Sequence, residues 1–143
     1  MSKPIQQNIG SVALVVENYD DEIEFYTNKL QFELIEDLDL DLDLDLDLGE
    51  GKRWVLIAPP NSTGTDLLLA QASNEEQKLS IGNQAGGRVF LFLHTNDFWR
   101  DYENMKSKGV EFTEEPSTEG YGMVVVFKDL YGTKWDLLQL TRS

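Results

Sequence analysis

The two halves of the chain repeat one another, which leaves few folds open to it. Laying Ile9–Gln71 over Gly87–Gln139 brings SVALVV onto RVFLFL and FYTNKLQFEL onto YENMKSKGVEF. It also brings RWVLIAPPNSTGTDLLLA onto MVVVFKDLYGTKWDLL. Each half reads as a strand, a helix and three more strands. In the first half the strand is Ile9–Val16, with Val12, Leu14 and Val16 on one face. A helix capped within Asn18–Asp21 runs to about Lys29, carrying Ile23, Tyr26 and Leu30 at helical spacing. Strands follow from Glu33, at Arg53–Ala58 and at Thr65–Gln71. The second half predicts a strand at Arg88–His94 and a helix from Asn96 or Asp97 that places Phe98, Tyr102 and Met105 on one face. Gly109 stops that helix. A short strand at Val110–Thr113 and a polar loop over Glu114–Gly120 lead to a closing hairpin.

That hairpin, YGMVVVFKDLYGTKWDLLQL, turns at Asp129–Gly132. Gly132 supplies positive φ, and Asp129 can hold the turn backbone. In its returning strand Trp135, Leu137 and Gln139 point one way, while Asp136, Leu138 and Leu140 point the other. A carboxylate in that apolar row must be paired, protonated or solvated.

Between Asp37 and Leu48 the chain is six Asp-Leu pairs. As a strand it would be about 40 Å long, beyond the usual range, with a register that a two-residue slip restores. The tract is expected to overhang its sheet as a solvated edge. It is no EF-hand, since Leu42 and Leu48 stand where that loop needs Gly and Glu.

At 143 residues the chain is expected to be one domain, with modules at about 5–72 and 86–143 joined by a linker over 73–85 that holds one helical turn. A formal charge of −14 argues against nucleic acid and anionic membrane as partners. The absence of cysteine excludes thiolate chemistry. No apolar run has the length of a signal peptide or a membrane span, so a cytoplasmic location is expected.

The repeat, together with FYTNKLQF and FKDLYGTKWDLLQ, makes the chain resemble the vicinal oxygen chelate superfamily of glyoxalases, bleomycin-resistance proteins and extradiol dioxygenases. The first segment looks like that family's FY-x-x-x-LGF, the second like its F-x-DPDGN-x-x-EL. The resemblance implies an α+β fold, in which two tandem βαβββ modules form a curved mixed sheet around a cavity, usually in a homodimer. It places the family's metal-ligand positions on Ser11, Leu68, Arg88 and Asp136. Only Asp136 among them could bind a divalent ion. Leu68 is placed through a loop of different length, which leaves Asp66 as a substitute. Two carboxylates beside a fixed guanidinium are still a poor metal site, so neither a metal nor any other cofactor is expected.

Two function classes follow. The first is a binding protein that holds a small organic molecule in the cup, on Ser11, Trp54, Arg88, Phe90, Phe92, Tyr121 and Asp136. The second is a glyoxalase-like lyase or isomerase acting on a small carbonyl substrate, with Asp136 as the catalytic, proton-handling group. Arg88 and Asp136 are expected to meet in the cup as an ion pair. His94, the only histidine, lies at a strand end.

Overall fold

The computed structural model of the protein describes residues 3–39 and 52–141. Most of the Asp-Leu tract lies outside the described residues. Four strands, β1 (Ser11–Val16), β2 (Glu33–Asp39), β3 (Arg53–Ala58) and β4 (Asp66–Gln71), form one sheet in the order β1-β4-β3-β2. Five more, β5 (Leu91–His94), β6 (Glu111–Phe112), β7 (Ser117–Glu119), β8 (Gly122–Lys128) and β9 (Lys134–Leu140), form a second sheet. Its order is β5-β9-β8-β6, with β7 paired to β8. In each sheet the first strand runs parallel to the last, and the remaining pairs are antiparallel. The sequence repeat is therefore a repeat of topology. The fold is the expected α+β arrangement of mixed sheets.

Helix α1 (Tyr19–Glu24) opens on Asn18, whose side chain accepts the Asp21 N–H, and continues as a π-helical stretch over Phe25–Lys29. Between the modules α2 (Glu75–Ser80) is capped in the same way by Asn74. Helix α3 (Phe98–Ser107) begins at Asp97 and ends before Gly109, which adopts the left-handed φ of 84° that a helix stop requires.

One aromatic chain joins the two modules. Tyr26 and Phe32 of the first pack on Trp135 of β9, and Trp135 stacks on Phe127 at 5.8 Å between ring centroids. Phe112 and Tyr102 continue the chain to Phe98. Leu14, Val16, Ile57 and Leu69 fill the same core from the first sheet, so burial follows the predicted alternation. Trp135 and Leu137 are buried, while Asp136 between them is half-exposed.

Two expectations needed correction. Strand β5 starts at Leu91, not Arg88. It hydrogen-bonds only to β9, which starts at Lys134, and the Phe90 N–H already reaches the Lys134 carbonyl at 2.9 Å. Residues before Phe90 have no strand to pair with. The polar stretch after Phe112 also holds a strand of its own, β7, paired to β8.

The start of the Asp-Leu tract is pinned. Arg53 donates from Nε and Nη2 to Asp37, at 3.1 and 2.7 Å, and from Nη1 to Asp20 at 2.9 Å, while lying over the Tyr19 ring. This fork fixes a register that the repeat alone would leave free to slip. Deleting two Asp-Leu pairs from residues 40–47 is therefore expected to change stability by less than about 1 kcal/mol. Urea unfolding of the shortened chain checks it, and a larger loss would mean that the tract packs against something specific.

Candidate functional site

Register and parity place Ser11, Trp54, Phe92 and Asp136 on the sheet faces turned away from the core. On the first sheet, Ser11 and Ala13 share such a face with Leu68, Leu56, Trp54 and Glu36. Ser11 is exposed at the strand start. Trp54 donates its indole N–H to Glu36 Oε1 at 3.1 Å and keeps 37% of its surface exposed. Its cross-strand neighbour Leu38 is 52% exposed.

On the second sheet, β5 and β9 bring Phe92 directly beside Asp136, and β8 adds Val126 on the other side. Phe92 is 58% exposed beside that carboxylate, and Tyr121, 52% exposed, stands before β8 at the other end of the β8–β9 pair, five residues from Val126. Phe90 is partly buried at the foot of β5. Burial pushes the Asp136 carboxyl above the usual range, and the negative charge of Glu114 adds to the shift. Glu114 carried no signal in the sequence, because it lies in a polar loop and approaches Asp136 only through the fold.

Arg88 does not meet Asp136. It is exposed before β5, its N–H goes to the Ala85 carbonyl, and no ion pair joins the two side chains within 4.0 Å. The expected pair assumed a strand long enough to carry Arg88 onto the sheet, and β5 is too short. Asp136 is accommodated by partial solvation instead. Arg88→Met is accordingly expected to change stability by less than about 0.5 kcal/mol, measured by thermal unfolding.

The positions that bind metal in related folds do not fit one here. Leu68 has no donor atom, Ser11 offers a neutral hydroxyl and Arg88 a permanent cation. Among the described residues no group of three or more His, Asp or Glu could hold an ion.

A polar cluster that the sequence did not reveal lies in the core between the modules. Tyr26 donates its hydroxyl to Asp129 Oδ2 at 2.6 Å and accepts the Trp135 indole N–H at 3.0 Å. Asp129 Oδ1 accepts the backbone N–H groups of Tyr131 and Thr133. Glu22, four residues before Tyr26, is 1% exposed, and its Oε1 has no hydrogen-bond partner among the described residues. Burial, with Asp129 and Asp21 nearby, pushes the Glu22 carboxyl up to about 9. The available signal was the four-residue spacing to Tyr26.

Residues 8–137 match the family model of the Glyoxalase/Bleomycin resistance protein/Dioxygenase superfamily. The chain belongs to that superfamily. An uncharacterized protein of Shewanella frigidimarina (strain NCIMB 400) is 54% identical over 136 residues, covering 95% of this chain and 96% of its own. The uncharacterized protein YurT of Bacillus subtilis (strain 168) is 32% identical over 133 residues, covering 89% and 94%. Among superfamily-like structures, UcmS2 superposes with a TM-score of 0.75 at 25% identity, over 94% of this chain and 98% of its own. TnmS3, an antibiotic binding protein from Streptomyces sp. CB03234, superposes with a TM-score of 0.72 at 21% identity, over 97% and 100%. The second likeness speaks to the fold alone.

Proposed function

We propose that the whole chain works as one glyoxalase-like domain that binds a small organic molecule against its cup faces, without a catalytic metal and as a homodimer. The observation that carries this reading is the set of exposed aromatic rings on those faces. Trp54, Phe92 and Tyr121 each leave more than a third of their surface in water, although each belongs to a sheet face or its border. Rings of this size bury readily, so each one left in water on these faces is a contact that a bound molecule could cover. Asp136 beside Phe92 gives that surface one polar anchor. The donor-poor metal positions support binding over metal chemistry. The antibiotic-binding description of TnmS3 is in keeping with a role in sequestering an organic compound. A homodimer is supported by the open state of both faces, which a second copy would help to enclose.

A second reading rests on one observation, the raised Asp136 carboxyl. A carboxylate poised nearer neutrality is a better proton acceptor beside a carbonyl group, which is the step that a lyase or isomerase of this superfamily requires.

Native mass spectrometry of the purified protein separates these readings. The expected spectrum is a dimer carrying a non-covalent organic mass and no metal. One equivalent of zinc, nickel, iron or manganese per chain, lost on Asp136→Ala, would overturn the metal-free reading. A monomer with an empty surface would overturn the dimeric binding protein.

A further inference from the structure

Where the Pro59–Thr65 segment of the first module faces β5 and α3, two adjoining cavities of ≈690 and ≈610 Å³ open into one cleft. Both are walled by Pro59, Pro60, Asn61, Leu93 and His94. Each is within the size range of small-molecule pockets. Of the cup-face residues named above, Phe92 reaches this cleft, whereas Ser11, Trp54 and Asp136 do not line it.

The two ends of the cleft differ in chemistry. One end is apolar and partly aromatic, floored by Val12, Phe32, Leu67, Leu91 and Trp135. The other is rimmed by the uncharged hydrogen-bonding side chains of Gln31, Asn61, Thr95, Asn96 and Asn104. Its two charged residues offset each other, with Arg100 Nε donating to Asp101 Oδ1 at 2.9 Å. His94 stands where the two ends meet. Its two ring nitrogens can hydrogen-bond a ligand from either end.

We propose that this cleft is a second small-molecule site, which takes an uncharged, flat aromatic molecule carrying hydroxyl or carbonyl groups along one edge. The ring system lies against Leu91 and the exposed Phe92, above the buried edges of Phe32 and Trp135, and the polar edge meets His94 and the carboxamides of Asn61 and Asn104. A charged ligand is excluded by the same lining. Among the described residues no unpaired cation or carboxylate lines the cleft, and burying an unpaired charge on the apolar floor is costly. Asn61 and Gln31 are the two non-glycine residues with left-handed backbone among the described residues, at φ 57° and 63°. Both lie on this rim.

Titration of the full-length, isotopically labelled chain with 2-naphthol, followed by amide chemical shifts, tests the proposal. Saturable shifts are expected at Asn61, Leu67, Leu91 and Thr95, with Met123–Val126 on β8 unmoved. Val12→Phe fills the apolar floor and is expected to abolish the shifts. Ser62→Trp blocks the same mouth from an exposed loop and serves if the first variant does not fold. His94→Ala, removing one hydrogen bond, is expected to weaken binding about 2- to 10-fold. Shifts centred on Trp54 and Asp136 would overturn the proposal by placing the probe on the cup faces instead. So would the absence of saturation in the millimolar range, or undiminished binding in a blocked variant.

Discussion

Asp129→Ala is expected to lower the stability of the fold by about 3–5 kcal/mol, as for removal of one partner from a buried, hydrogen-bonded charge. The carboxylate takes the Tyr26 hydroxyl at 2.6 Å on one oxygen. On the other it takes the N–H groups of Tyr131 and Thr133, at 3.1 and 2.9 Å. Tyr26 and Thr133 are buried, so alanine leaves their donors without water to replace the lost acceptor. Tyr26 belongs to the first module, whereas Asp129 and Trp135 belong to the second, so the loss falls on the contact that docks one on the other. Asp129→Asn keeps one acceptor oxygen for the turn and is expected to cost less than alanine. Tyr26→Phe removes the same long-range bond from the other side, so the double variant with Asp129→Ala should be less than additive. Equilibrium unfolding in urea, followed by circular dichroism, reads all of these. A loss below about 1 kcal/mol for Asp129→Ala would mean that the modules are held by apolar contact alone.

Sequence patterns that act within one element were legible, and those that depend on a neighbour were not. The alternation in the closing strand correctly buries Trp135 and Leu137 and leaves Asp136 half-exposed, because a strand's two faces follow from parity alone. Gly109 and Gly132 were found because a helix stop and a tight turn demand positive φ, and both adopt it. The length of β5 was not legible, because an edge strand ends where its partner does, and Lys134 sets that limit. Arg88 was misplaced for this reason. The partnership of Phe92 with Asp136 depends on the β5–β9 register, which no local pattern fixes. The stripe read for the first helix holds at Tyr26 and Leu30, which are buried, and Ile23 lies at the border of the core. The burial of Glu22, four residues before Tyr26 on the same side, was not read. The turn from Phe25 to Lys29 is π-helical, which no local pattern announced. Asp129 was legible as a turn former, while its bond to a tyrosine 103 residues earlier was not.

The buried Glu22 should make the protein lose stability toward alkaline pH. Its folded-state carboxyl titrates near 9, against an ordinary value of 4.5, with burial as the main cause and the charges of Asp129 and Asp21 adding to it. The folded state therefore holds a proton that the unfolded chain releases at lower pH. Stability is fully present below about 4.5 and is lost as pH rises through the window to about 9. At about 1.4 kcal/mol per pH unit of differential protonation, the loss across that window amounts to several kcal/mol. Glu22→Gln has nearly the same shape, cannot ionise, and is expected to flatten this part of the profile. The variant should be more stable than the parent at pH 8–9 and should converge with it below pH 5. Asp129 and Asp136 are also held above their ordinary values by burial, so a residual slope in the Gln variant belongs to those carboxyls. Measuring urea midpoints from pH 5 to 9 for both proteins gives the comparison. Parallel curves would mean that Glu22 ionises in the fold, with its Oε1 satisfied by water that enters between α1 and the Asp129 turn.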